Sequence, residues 1–207
     1  MPGPTLRALT TATGLALAAC ASSSPSAREP AMPASANTTS PSRSMPVKQW
    51  PLKFKSHSFG AYCYDTRACT IHYANFEHGS EEPSTPSATY GPGYLDHLDG
   101  GHIGIRNFPA PAKVSWVSKD GQAHTAEIDM GELFADEVIR HNVKRDEMSD
   151  VVDGEYKSEP AILLEVNDRT IRVYMRAMIF LKKRVEIAGQ LRGDYRDDLI
   201  LVKTYTY

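Results

Sequence analysis

Short apolar segments joined by polar turns fill the sequence beyond about residue 50, and they restrict the fold more than any other feature. Three pairs of these segments predict β-hairpins, with turns at residues 65–68, 119–122 and 167–170. Aromatic and β-branched residues are frequent in the flanking segments, and the second turn contains an Asp-Gly pair typical of tight hairpins. The pattern therefore predicts a mainly antiparallel β domain.

Two further segments complete this fold prediction. Residues 199–207 alternate as a strand would, with Leu201 and Tyr205 on one side and Val202 and Thr204 on the other. An apolar stripe at helical spacing predicts one helix over residues 131–141. We expect a mainly β (α+β) fold, an antiparallel β-sandwich-like domain with one or two short helices.

The charge balance argues against nucleic acid as a partner. The 207 residues include 23 Lys and Arg and 25 Asp and Glu, for a net charge of −2. Nucleic-acid-binding domains usually carry a basic excess or stripe that pairs with phosphates. The balance therefore favours a partner other than nucleic acid.

The N-terminal segment is typical of a bacterial secretion signal. An apolar stretch at residues 8–17 follows Arg7 and ends in Leu17-Ala18-Ala19-Cys20, which is similar to a lipobox. We expect residues 1–19 to be a signal peptide and Cys20 to carry the lipid, although an ordinary signal peptide with an incidental cysteine is the alternative. Ala21 follows the cysteine where an inner-membrane lipoprotein would carry Asp, so we expect anchoring in the outer membrane, facing the periplasm.

A Ser-, Pro- and Ala-rich stretch follows the lipidated cysteine. It lacks apolar periodicity, so we expect residues 20–46 to form a disordered lipoprotein tether and residues 47–207 to form the globular domain. Cys63 and Cys69 flank the first predicted turn, and an even pair of cysteines in an oxidising compartment favours a disulfide over two free thiols.

A long irregular segment at residues 79–101 carries tyrosines and acidic residues between glycines. Segments of this kind suit protein recognition, although a solvated loop with two tyrosines packed beneath it is an equal alternative. Together with the disulfide-closed turn, it supplies the residues that we expect to bind a partner: Asp65, Thr66, Arg67, Tyr90, Tyr94, Asp96 and Asp99.

Motifs of known enzyme classes are missing from the sequence. It contains no Gly-x-Ser-x-Gly, no phosphate-binding Gly-x-x-x-x-Gly-Lys, no His-Glu-x-x-His and no Cys-x-x-Cys. His97 and His102 share a loop with Asp96 and Asp99, but their spacing fits no zinc pattern. We therefore predict no enzymatic activity, no catalytic residues, no metal and no cofactor.

Three segments resemble a known family. Residues 114–129 (VSWVSKDGQAHTAEID), 164–177 (LEVNDRTIRVYMRA) and 195–207 (YRDDLILVKTYTY) are similar to lipoproteins of the type VI secretion system, and more narrowly to immunity proteins encoded beside phospholipase effectors. The resemblance implies a periplasm-facing protein that binds and blocks a cognate antibacterial phospholipase. Contact residues vary between such pairs, so the resemblance assigns none here.

Two other functions stay open at this stage. One is a structural or assembly lipoprotein of the cell envelope, which binds an envelope complex or peptidoglycan and neutralises no toxin. The other is a periplasmic enzyme that uses the histidine-containing loop, which would require a buried histidine or carboxylate with a shifted pKa in a cleft.

Overall fold

Strands build the fold of residues 42–207, the part of the chain that the computed structural model describes. One α-helix, α1 (Met130–Leu133), and two 3-10 helices, Ser87–Tyr90 and Tyr94–His97, are short. The thirteen strands are β1 Ser44–Met45, β2 Ser56–Tyr64, β3 Thr66–Tyr73, β4 Phe76–Ser80, β5 His102–Arg106, β6 Ala112–Ser118, β7 Ala123–Ile128, β8 Val151–Val152, β9 Ala161–Asn167, β10 Thr170–Arg176, β11 Ile179–Ile187, β12 Gln190–Arg196 and β13 Leu199–Thr206. The predicted fold class, mainly β with short helices, is confirmed.

Two sheets enclose the main core. One has the strand order β13-β10-β9-β2-β5 and the other the order β4-β3-β6-β7; β1 with β8 and β11 with β12 form separate two-stranded sheets. Apolar side chains from both large sheets pack in one cluster, including Phe59, Ile71, Trp116, Ile162 and Val173. The strand pairs are antiparallel except β2 with β9, which run parallel.

The predicted hairpins at the second and third turns are confirmed. Strand β6 pairs with β7 across residues 119–122, and β9 pairs with β10 across the turn at Asp168. The first predicted hairpin is wrong, because β2 and β3 belong to different sheets. Asp65, with φ 56°, carries the chain from one sheet to the other, so that both strands cover the core.

The helix predicted over residues 131–141 is much shorter in the structure, where α1 spans only Met130–Leu133. Asp129 caps α1 by accepting a hydrogen bond from the backbone N–H of Glu132 at 3.1 Å. After Leu133 the chain turns, and Glu137 adopts a left-handed φ of 51°. Two residues of the predicted apolar stripe, Phe134 and Ile139, are nevertheless buried in the core.

The simple alternation predicted for the last strand fails at Val202. Val173 pairs with Lys203 and Tyr174 with Leu201, so Val202 is the extra residue of a β-bulge. The bulge shifts the side-chain faces, and Val202 and Tyr205 both pack against the main core. A strict two-residue alternation in the sequence cannot predict such a bulge.

The predicted signal peptide, Cys20 and the predicted tether as far as residue 41 lie outside the described residues. Ser44 and Met45 pair with Val152 and Val151, so two residues of the predicted tether form a strand that pairs with the domain. Within residues 42–207, no helix is long and apolar enough to cross a membrane.

Candidate functional site

Several turns meet at one end of the two large sheets, and hydrogen bonds tie them together. Asp168, in the β9–β10 turn, accepts a hydrogen bond on its carboxylate from the backbone N–H of Lys119 at 2.9 Å, and its own N–H donates to the carbonyl of Tyr64 at 3.1 Å. The indole N–H of Trp116 donates to the Asp168 carbonyl at 2.7 Å. We call the surface formed by residues 64–67, 87–90, 119–121 and 168–169 the turn end.

Asp65 is the polar centre of the turn end. Its side chain is buried, and its carboxylate accepts hydrogen bonds of 3.0 Å from both the backbone N–H and the hydroxyl of Ser87 and forms a 2.6 Å ion pair with Lys119. Burial opposes the charged carboxylate, but the hydrogen bonds from Lys119 and Ser87 outweigh it and hold the pKa of Asp65 below its ordinary value. Asp65 therefore fixes the first 3-10 helix against the β6–β7 turn.

This burial corrects part of the predicted contact set. Asp65 and Thr66 are only 6% and 3% exposed, so a direct surface role does not fit them. Thr66 instead bonds to Ser84, through its backbone N–H and its hydroxyl, at 2.9 Å in each case. Both side chains act inside the domain, where they hold residues 84–87 in place.

Arg67 and Tyr90 are the predicted contact residues that stay exposed at the turn end. Arg67 donates a hydrogen bond from Nε to the carbonyl of Lys119 at 3.0 Å, which orients its guanidinium. Tyr90 is 53% exposed, and its ring lies edge-on to the ring of Tyr64 with centroids 5.8 Å apart. The structure thus brings together two candidates that are more than twenty residues apart in sequence.

The predicted disulfide between Cys63 and Cys69 is present, with the two Cα atoms 6.3 Å apart. It joins β2 to β3 and therefore links the two large sheets beside the turn end. The hairpin that the sequence predicted around it does not form, but the bridge still holds the chain where it crosses between sheets.

Tyr94 is anchored inside the domain by the buried Glu165. The Glu165 carboxylate is fully buried and accepts hydrogen bonds from the hydroxyls of Tyr94 and Tyr174, each at 2.9 Å, from Asn167 at 3.1 Å and from Arg172 at 3.2 Å. The segment that contains Tyr94 therefore covers the outer face of the five-stranded sheet, with a small apolar cluster beneath it.

Burial and the nearby charge of Glu165 also affect the tyrosines around it. They raise the pKa of Tyr64 to about 12 and raise the pKa of Tyr174 as well. For Tyr94, burial and the hydrogen bond to Glu165 raise the pKa. These phenols therefore stay protonated near neutral pH, and Tyr94 and Tyr174 donate hydrogen bonds to Glu165.

Asp96 and Asp99 lie along the sheet at the end of β10 opposite the turn end. Arg176, the last residue of β10, donates to the carbonyls of Asp96 and Leu98 at 3.2 and 2.9 Å. Asp99 exchanges two 2.7 Å hydrogen bonds with the Tyr62 hydroxyl through its backbone. Both aspartates are exposed, but they belong to a different part of the surface from Arg67 and Tyr90.

A buried histidine was not foreseen from the sequence. His57 is fully buried, with Nδ1 2.9 Å from the Asn107 side-chain oxygen and Nε2 3.0 Å from the Tyr73 hydroxyl. Burial lowers its pKa, so the neutral ring is favoured. Among residues 42–207, no group of three or more His, Cys, Asp and Glu side chains is placed to hold a metal ion.

Comparisons with protein-family models, with curated proteins and with solved structures found no match to this chain.

The sequence did contain a signal for the buried carboxylate of Glu165, which is the charged residue within the apolar run 161–166. A carboxylate in such a run requires partners, which the tyrosines and Arg172 supply.

Proposed function

We propose that the protein is a periplasm-facing lipoprotein, anchored in the outer membrane, that binds and inhibits a cognate antibacterial phospholipase through its turn end. The observation that supports this most directly is the rigid assembly of this surface from separate segments by Asp65 and Asp168. Two of the segments that resemble phospholipase immunity proteins, residues 114–129 and 164–177, supply the β6–β7 and β9–β10 hairpins beneath it.

The composition of the turn end suits a protein partner. Tyrosine and arginine are enriched among residues that dominate binding energy, and Arg67, Tyr90 and Arg169 are exposed there. Because Asp65, Asp168 and the disulfide hold the surrounding backbone, little conformational entropy is lost on binding. A rigid surface seated over the mouth of a lipase cleft would exclude the lipid substrate without any chemistry by the inhibitor.

The lipid anchor would support the same role. A phospholipase acts at a membrane surface, and an inhibitor attached there through Cys20 is concentrated where it is needed. Lipidation thus raises the apparent affinity without adding any contact between the two proteins.

Titration calorimetry of the purified protein against the phospholipase encoded beside its gene tests the proposal. We expect tight binding by the wild type and at least about tenfold weaker binding by Arg67→Ala with Tyr90→Ala, because such side chains commonly contribute more than about 1 kcal/mol each. Ile103→Ala with Arg106→Ala, which changes exposed residues of β5, is the matched control and should bind as the wild type does.

Two outcomes separate the claims. If the wild type binds and the turn-end variant binds equally tightly while circular dichroism shows it folded, another surface makes the contact. If the wild type neither binds nor inhibits the phospholipase, the immunity function is wrong and a structural or assembly role in the envelope takes its place.

A further inference from the structure

Strands β11 and β12 form a hairpin that stands apart from the two large sheets. They form a two-stranded sheet of their own, and the backbone contacts that join them to the rest of residues 42–207 lie at the base, where Leu181 bridges Met148 and hydrogen bonds are made at Phe180 and Lys182. Ile187 pairs with Gln190 across a two-residue turn in which Ala188 and Gly189 both have positive φ, 52° and 75°. The hairpin therefore ends in a narrow tip.

Apolar side chains are exposed at this tip. Ile187 is 54% and Leu191 62% exposed, and Ala188 and Gly189 complete the turn between them. These two large aliphatic side chains, one on each strand of the hairpin, are not among those packed in the main core. Their exposure to solvent therefore requires another explanation. Contact with an apolar surface outside the domain would supply one.

Basic residues follow the strands of the hairpin from its base towards its tip. Strands β11 and β12 carry five positive charges, on Lys182, Lys183, Arg184, Arg192 and Arg196, and two negative charges, on Glu186 and Asp194, whereas the whole chain has a net charge of −2. Lys183 lies 3.9 Å from the partly exposed Asp194, a weak pair, and Arg184 forms no ion pair within residues 42–207. The hairpin therefore has an excess of positive charge, in contrast to the negative net charge of the whole chain.

We propose that this hairpin docks on an anionic phospholipid surface, with Ile187 and Leu191 entering the acyl boundary and the basic residues contacting lipid phosphates. The spacing suits this arrangement. At about 3.4 Å per residue, Arg184 lies roughly 10 Å behind Ile187, and Arg192 directly follows Leu191. The headgroup layer of one leaflet is about 5–8 Å deep, and arginine side chains can extend along it.

A lipid surface fits this combination better than a protein does. Interfacial segments bury an apolar edge in the membrane while basic residues beside it bind anionic headgroups. The tip is a narrow projection and not a broad face, so it offers little area for a stable protein interface. The proposal goes beyond phospholipase inhibition and does not depend on it.

Flotation with lipid vesicles tests the docking. The chain from Ala21 to Tyr207 keeps every described residue and removes the cysteine expected to carry the lipid. At roughly 0.1 M salt we expect it to bind vesicles containing about one quarter anionic phosphatidylglycerol and to bind pure phosphatidylcholine vesicles much more weakly. Raising the salt to roughly 0.5 M should release it, because the attraction is screened.

Variants separate the apolar and the electrostatic contributions. Ile187→Ser with Leu191→Ser should weaken binding at least about tenfold, because the apolar edge is lost. Arg184→Gln with Arg192→Gln should weaken it about 25-fold, at about fivefold per charge, and reduce the salt dependence. Ile103→Ser with Arg106→Gln, an exposed apolar and basic pair on β5, should bind as the wild type does.

The changed side chains are exposed, so each variant should keep the wild-type melting temperature. The proposal is overturned if the wild type does not bind anionic vesicles, or if folded tip variants bind them as tightly as the wild type. It is also overturned if those variants lose phospholipase inhibition while vesicle binding is unchanged, since the hairpin would then be a protein contact.

Discussion

Replacing Glu165 by Gln tests whether the buried carboxylate fixes the segment over the five-stranded sheet. The carboxylate accepts four hydrogen bonds, two of them from the hydroxyls of Tyr94 and Tyr174 and one from the guanidinium of Arg172. Glutamine keeps the shape and one acceptor oxygen. It places an amide N–H₂ where the second oxygen stood and removes the charge opposite Arg172.

The expected loss follows from these contacts. Hydrogen bonds to charged groups contribute about 1.5–3 kcal/mol, and Tyr174 can turn its hydroxyl to accept from the new amide. Arg172 is partly exposed and recovers some hydration, which keeps the loss below that of a fully buried broken pair. We expect the free energy of unfolding in urea to fall by about 2–3 kcal/mol, against less than about 0.5 kcal/mol for the exposed control Glu186→Gln.

A second variant locates the effect. Tyr94→Phe removes one of the four bonds and should cost about 1 kcal/mol in the wild type but clearly less in the Glu165→Gln background, because the two side chains share one interaction. Equal costs in both backgrounds, or a Glu165→Gln loss no larger than the control, would refute the idea that an ionised Glu165 anchors this segment.

Three further predictions follow from the described cysteines, the lipobox and the histidines. Reducing the bridge between Cys63 and Cys69 should lower the free energy of unfolding by about 2 kcal/mol, measured by urea unfolding with and without reductant, and thiol labelling of the native unreduced chain should find neither cysteine. Cys20→Ser should move the protein from the membrane fraction to the soluble fraction, and retention through detergent-free washes would contradict the anchor. Burial lowers the pKa of His57 and of His78 from 6.5, so the folded chain binds fewer protons than the unfolded chain below that pH. The protein should therefore unfold at a lower urea concentration at about pH 5 than at about pH 7. An unchanged urea midpoint would count against neutral histidine rings in the folded chain.

The sequence predicted the strands where local chemistry determines their pairing. The β6–β7 hairpin follows from an Asp-Gly turn, in which Gly121 adopts a φ of +87°, and the β9–β10 hairpin follows from a turn where Asp168 adopts a φ of 52°. The pairing of β2 could not be predicted in the same way, because a two-residue period marks a strand without saying which sheet the strand joins.

The same limit applies to the candidate site. Asp65 was correctly placed at a turn, but its burial depends on Ser87 and Lys119, which reach it only in the folded domain. Arg67 and Tyr90 meet the solvent as expected, whereas Tyr94 points inward because Glu165 requires a donor. Local sequence identifies polar residues near turns, and only tertiary packing decides which of them face outward.

The parallel pairing of β2 with β9 determines when the domain can fold. Ser58 lies beside Ala161, so the central pair of the five-stranded sheet joins segments roughly 100 residues apart. Loop closure of that length must precede any gain from the contact, which is typical of domains that fold in milliseconds to seconds. A chain entering a compartment N-terminus first would therefore keep β2 unpaired with β9 until most of its length had emerged. Over that interval its exposed strand edges would depend on chaperones for protection against aggregation.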